Sequence, residues 1–168
     1  MRFIVISVWF NMYWFAAVVG QHTALPFLIL ALIGALLVDR TVLFAILLFG
    51  LIGITGDYVL RHFDVLRFDT PFLPIWLCLL WAGFAVYIWL MREWLLAKPT
   101  WMLVLAGSVG GGVSYLAGER LGAVSFSFGV VSSFIILAVV WLGYTVTFIS
   151  LLRWAANKED KCITSKGT

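Results

Sequence analysis

The chain has 168 residues, is 64% hydrophobic and only 11% charged, and carries a net charge of +3. A soluble domain devotes roughly a quarter of its residues to charge, so this balance places the chain in a bilayer and excludes a water-soluble fold. The modest positive charge suits attraction to anionic lipid and points to no nucleic-acid site.

A helix crosses the hydrocarbon in about 20 mostly apolar residues. Six stretches qualify, predicting an all-α, polytopic membrane helix bundle with six transmembrane helices over residues 1–156. The first, Phe3 to Gly20, is expected to be retained rather than cleaved as a signal peptide, because no small-x-small pattern surrounds Gly20 and Gln21. Asn11, Trp14, Val18 and Gln21 recur at i, i+3, i+7 and i+10, so they share a face that should point inward. Asn11 lies near mid-membrane, where its amide calls for an interhelical hydrogen bond or a ligand. The second stretch, Thr23 to Val38, is short.

In the third, Thr41 to Leu60, Gly50, Gly53 and Asp57 share a face that Arg61 extends by one turn. An intramembrane carboxylate is a functional candidate by default because burying it is costly. Asp57 nevertheless lies only about three residues, or about 5 Å, from the helix's outer end, and pairing with Arg61 or Arg120 is the competing structural explanation. The loop Arg61 to Pro71 alternates charges with Phe63, Val65, Leu66 and Phe68, a mixture suited to lying in the interface or folding back over the bundle. His22 and His62 lack ligand spacing, so no metal and no cofactor are expected.

The fourth stretch, Phe72 to Met91, opens at Pro71 and Pro74, where a missing N–H costs nothing. Its Trp76 and Trp81 either line a groove for an acyl chain or pack and anchor. The fifth, Thr100 to Ala117, carries a small residue at every fourth position through Ala106, Gly110, Ser114, Gly118 and Gly122. That stripe predicts close helix packing, within one chain or between chains, so oligomerisation stays open. The sixth runs from Ser125 to Leu152. Residues 157–168 are polar without apolar periodicity, which predicts a disordered cytoplasmic tail.

Six spans put both termini on one side. That side holds eight Lys and Arg residues (Arg2, Arg40, Arg92, Lys98, Arg153, Lys158, Lys161 and Lys166), against Arg61, Arg67 and Arg120 on the other. The positive-inside rule then makes both termini cytoplasmic. Asn11, Gln21, Asp57, Arg61, Tyr115, Glu119 and Arg120 collect at the outer mouth as the candidate polar site, and the upper end of the small-residue stripe should face Asp57 and the Asn11 to Gln21 face. Cys78 and Cys162 are expected to form no disulfide. Catalytic residues stay unknown: the run from Gly107 lacks the Lys-Ser/Thr ending of a phosphate loop, and no nucleophile elbow or zinc-protease pair occurs.

The run Gly-Gly-Gly-Val-Ser-Tyr-Leu-Ala-Gly-Glu-Arg-Leu-Gly-Ala from Gly110 to Ala123 resembles an uncharacterised family of small bacterial inner-membrane proteins. The stretch Pro74 to Phe84, Phe10-Asn11 with Trp14, and Gly53 with Gly56-Asp57 are similar to the same pattern. Where that family often has proline after the paired glycines, this chain has Gly112. The resemblance implies a bacterial inner-membrane location and no activity. The family's genes often lie beside cyclopropane-fatty-acid-synthase-like enzymes and oxidoreductases, which implies membrane lipids and a lipid-modifying enzyme as partners.

The leading expectation is therefore an acyl-chain-binding or accessory protein in membrane-lipid modification. A small transporter or flippase is the alternative, although two three-span halves show no convincing similarity to each other. A third reading, an intramembrane enzyme using Asp57, His62 or Glu119 as acid or base, requires two of these within reach of one cavity.

Overall fold

The computed structural model describes the backbone of residues 1–166 and the side chains of residues 1–158; across the expected disordered tail at 157–168 the backbone is helical as far as Lys166, and residues 167–168 lie outside the described residues. Four helical stretches are long and apolar enough to cross a membrane: Arg2–Val38, Val42–His62, Thr100–Arg120 and Val130–Lys158. The molecule is thus an α-helical membrane protein, 82% helical.

The first stretch is not one rod. Helix α1 (Arg2–Gly20) ends at Gln21, whose φ of 44° lies in the left-handed region that non-glycine residues seldom adopt, and a short 3-10 turn, Gln21–Ala24, leads into α2 (Leu25–Val38). Fourteen residues of straight helix would hold Tyr13 and Phe27 about 21 Å apart, yet their ring centroids lie 6.4 Å apart. The two helices therefore fold back on each other.

Helix α3 (Val42–His62) carries a π-turn at Ile46–Gly50. Helix α4 (Ile75–Leu90) begins three residues later than Phe72, because Pro74 sits at the cap in extended conformation. It is hydrophobic all round and buries nine of its sixteen residues, as a central helix should. At about 24 Å it is shorter than the hydrocarbon. The short α5 (Arg92–Leu96) links it to α6 (Thr100–Arg120), which is helical through Gly112 without interruption. Helix α7 (Val130–Lys166) starts later than Ser125, because Ser125 and Phe126 form a strand and Gly129 turns the chain at φ 76°.

Side-chain contacts set the directions. The Tyr13 hydroxyl donates to the Leu79 carbonyl at 2.8 Å, and the Trp89 indole N–H donates to Thr41 Oγ1 at 2.8 Å. Gly53 faces Trp81, Gly107 faces Thr145 and Gly111 faces Trp141. The six long helices consequently alternate in direction. The N-terminus and residues 91–99 lie at one end, the basic end; the loops 63–74 and 121–129 lie at the other, the ladder end.

At the ladder end, β1 (Leu66–Arg67) pairs antiparallel with β2 (Ser125–Phe126), Leu66 opposite Phe126 and Arg67 opposite Ser125. Each strand follows a helix closed in the same way. Asp64 at φ 58° ends α3, with Val65 N–H donating to the Leu60 carbonyl and Asp64 N–H to that of Arg61; Gly122 at φ 75° ends α6, with Ala123 donating to Gly118 and Gly122 to Glu119. Both are Schellman caps.

The parallel extends along both helices at a constant spacing. Both have 21 residues; Gly53 corresponds to Gly111, Asp57 to Tyr115, and Phe68 to Phe126. Gly53 receives the ring of Trp81 from the next helix, and Gly111 receives Trp141 from its own next helix. Trp81 and Trp141 stack on each other, centroids 5.6 Å apart at 18°. The hairpins α3–α4 and α6–α7 are thus related by a local two-fold running through the Arg67–Ser125 pair and the meeting point of Asp57 and Tyr115.

Candidate functional site

Asp57 is fully buried, and its carboxylate accepts two hydrogen bonds: Oδ2 from the Trp81 indole N–H at 2.7 Å, and Oδ1 from the Tyr115 hydroxyl at 2.5 Å. The arginines expected to pair with it do not. The Arg61 guanidinium donates to the Pro71 carbonyl, and Arg120, with its side chain 81% exposed, lies 3.8 Å from Glu119. The physical reason is depth. A helix-end arginine reaches toward water and free carbonyls, whereas the donors available inside are indole and phenol groups that cost little to bury.

Glycines make this arrangement possible. A Cβ at Gly53 would fall 2.1 Å from the Trp81 ring, and one at Gly56 would overlap the Tyr144 hydroxyl. The i, i+3, i+7 face of Gly50, Gly53 and Asp57 therefore serves as the seat on which Trp81 lies. Trp81, Trp141, Tyr144 and Phe84 form a continuous aromatic cluster, with centroid separations of 5.4 to 5.6 Å among them. Within it, Trp141 Nε1 and the Tyr144 hydroxyl are buried without a hydrogen-bond partner.

Beside this cluster lies a cavity of about 540 Å³ between α1, α4, α6 and α7, within the range of small-molecule sites. Its aromatic wall includes Trp14, Trp76, Trp81, Tyr115 and Trp141, and its opposite floor is Ala106, Gly110 and Ser114. It extends from Leu95, Leu103 and Leu152 at the basic end to Phe68 and Val124 at the ladder end. From Leu103 to Gly118 alone this is about 22 Å of helix, longer than one leaflet's hydrocarbon of about 15 Å. The Trp14 indole N–H bridges it to Ser114 Oγ at 2.9 Å.

The small-residue stripe therefore faces partly into open space. Nothing lies within 4 Å of a Cβ built at Gly110, and Gly110 and Ala106 are exposed. Close helix contact falls one or two residues on: Gly107 against Thr145, Gly111 against Trp141 and Gly112 against Phe134. Gly118 meets Val124 in ordinary contact, and Gly122 is the left-handed cap residue with open space around it.

The remaining candidates separate. Asn11 lines the cavity, but its amide donates to the Ser7 carbonyl of its own helix at 2.8 Å, so the interhelical bond expected of it is not made. An amide can turn back to its i−4 carbonyl wherever the helix leaves one accessible. Gln21 forms the turn between α1 and α2. His62 is exposed and meets Phe63 edge-on, and neither it nor Glu119 lines the cavity. Among the described residues no three His, Cys, Asp or Glu side chains gather as a metal would require. Trp141 and Tyr144 escaped the sequence reading; their only signal is the spacing of Gly53, Gly56 and Gly111, which marks where large rings must dock.

Fold and site together define a helical membrane protein with a buried acid–aromatic cluster beside an apolar cavity. The chain belongs to the family described as Protein of unknown function (DUF2878), which it matches over residues 3–147. No curated protein and no solved structure matches it.

Proposed function

We propose that this protein is a six-crossing membrane protein with both termini in the cytoplasm, and that it holds an acyl chain of the surrounding bilayer in its cavity as an accessory to membrane-lipid modification. The observation that carries this reading is the cavity: apolar, aromatic on one wall, floored by Ala106, Gly110 and Ser114, and longer than a leaflet is deep. The glycine floor lets a chain lie against helix backbone. In this reading Asp57 is a positioning residue, because its two hydrogen bonds fix the ring of Trp81 and the phenol of Tyr115, both of which line the cavity. The bacterial inner membrane is the location it calls for, and a lipid-modifying enzyme the partner.

Gly110→Leu tests it, since Gly110 lines the cavity and a Cβ there meets nothing within 4 Å. Mass spectrometry of gently solubilised protein should find bound acyl lipid in the wild type and at least a several-fold loss in the variant, with unfolding unchanged. Equal lipid retention by both proteins would defeat the reading. Accessibility labelling of single cysteines placed at residue 2 and in the 63–74 loop tests the topology: the two should label from opposite faces.

A further inference from the structure

The two ends of the cavity differ in charge and in closure. At the ladder end it is roofed by the strand pair, with Val65, Leu66, Ala123 and Val124 all buried. The cations there are tied up: Arg61 on the Pro71 carbonyl, Arg67 at 3.5 Å from Asp64, and Arg120 beside Glu119. At the basic end the cavity finishes on Leu95, Leu103 and Leu152. Arg153 directly follows Leu152, and its guanidinium donates to Thr100 Oγ1 at 2.6 Å, one turn below Leu103. Lys98 lies over the Trp94 ring with Nζ 5.0 Å from its centroid, and Arg92 lies over Trp89 at 4.6 Å. Among the described residues none of these three has a carboxylate partner within salt-bridge distance. Lys98 is held by a neutral ring and Arg153 by a hydroxyl, which positions their charges and leaves them unpaired, whereas Arg92 also donates to the Trp89 carbonyl and its charge acts on Asp39.

We propose that the occupant is an anionic phospholipid, with one acyl chain in the cavity and its phosphate at the basic end between Lys98 and Arg153. This rests on the acyl-chain reading above and adds the chemical class and the direction of the ligand. A phospholipid fits better than a free fatty acid because Lys98 and Arg153 offer two cations without a carboxylate partner at this end, more charge than one carboxylate would balance. The second chain stays in the bilayer outside the α1–α6 gap.

The test uses the full chain in mixed micelles, offered equal amounts of phosphatidylglycerol and phosphatidylcholine with identical acyl chains, with bound lipid read by native mass spectrometry. The wild type should retain phosphatidylglycerol over phosphatidylcholine by roughly thirtyfold, since two interfacial cations are worth that order of preference. The double variant Lys98→Gln/Arg153→Gln should lose the preference and still bind lipid, whereas Arg67→Gln/Arg120→Gln should keep it. No preference in the wild type, or an undiminished one in Lys98→Gln/Arg153→Gln, overturns the headgroup assignment while the acyl-chain reading stands. Displacement of both phospholipids by an equimolar free fatty acid overturns the choice of phospholipid. Absence of any bound lipid defeats the acyl-chain reading itself.

Discussion

Two adjacent glycines of α6 make opposite predictions on substitution by alanine. At Gly111 the new Cβ would lie 1.9 Å from Cδ2 of Trp141, 2.2 Å from Cγ and 2.5 Å from Cε2, while ordinary contact begins at 3.4 Å. The ring must therefore retreat by about 1.5 Å, and these are its rigid central atoms rather than a flexible end. Retreat is blocked by Trp81 stacked at 5.6 Å, with Phe84 and Tyr144 against its edges. Overpacking of this kind costs about 1–3 kcal/mol, here toward the upper end. The better helix propensity of alanine returns up to about 1 kcal/mol, leaving a net loss near 2 kcal/mol. At Gly110 only the propensity gain applies, because nothing lies within 4 Å. Reversible unfolding in mixed micelles should separate the two variants by about 3 kcal/mol, with Gly110→Ala neutral or stabilised. Adding Trp141→Leu to Gly111→Ala should cost less than the sum of the two single changes by at least about 1 kcal/mol, since both act on one contact. Equal losses at the two glycines, or strict additivity in the double variant, would refute the assigned packing register.

Asp57→Ala leaves the Trp81 and Tyr115 donors buried without an acceptor, at about 1–3 kcal/mol each; the same unfolding assay should show a loss well above that of Asp57→Asn, which keeps one acceptor oxygen. Trp14→Phe removes the hydrogen bond across the cavity from α1 to Ser114, costing about 1 kcal/mol, and should speed exchange of bound lipid measured by fluorescence. Asp39, in the link between α2 and α3, has its carboxyl held below the usual range by hydrogen bonds from the Thr41 hydroxyl and backbone N–H, helped by the Arg92 charge. A depressed carboxyl pKa contributes stability that is present above the unfolded value and lost as pH falls through the folded one. Thr41→Ala should accordingly raise the Asp39 pKa in a carbon-13 NMR titration, and an unchanged titration would count against that link.

The helices were legible because a bilayer demands long apolar runs: five of the six predicted stretches begin and end within three residues of the helices observed, while the last helix runs on past Leu152 to Lys166. The errors lie where local backbone chemistry decides. Pro74 and Gly129 move two helix starts inward, and the strand pair draws Leu66 and Arg67 from a loop and Ser125 and Phe126 from the expected start of the sixth stretch. The register of the glycine helix was illegible for a different reason. Between Ala106 and Ser114 the sequence offers two stripes of small residues one position apart, Ala106-Gly110-Ser114 and Gly107-Gly111, and nothing local chooses between them. The choice is made by the ring of Trp141, which needs the depression at Gly111. Likewise the partner of Asp57 was sought among opposite charges, whereas its donors are an indole from α4 and a phenol from α6, brought together only by the fold.

The local two-fold explains why the relation between the hairpins hides from sequence comparison, and it yields a sharper test. Residues that meet on such an axis face their own equivalents. Two carboxylates there would repel, and two phenols would offer the indoles only neutral, weaker acceptors, so a carboxylate facing a phenol is the more complementary pair. Asp57 and Tyr115 are that complementary pair. The asymmetry is visible next door: Trp81 Nε1 has Asp57 as acceptor, while Trp141 Nε1, its counterpart, has none. Exchanging the pair, Asp57→Tyr with Tyr115→Asp, should hand the acceptor to Trp141. Each single change should be destabilising, Tyr115→Asp most of all because it places two carboxylates together in the interior. The exchange should recover at least about half of the summed loss, a coupling on the order of 2 kcal/mol, in the same micelle unfolding assay. Losses that simply add would mean that Asp57 and Tyr115 are neighbours by accident and that no two-fold relates the hairpins.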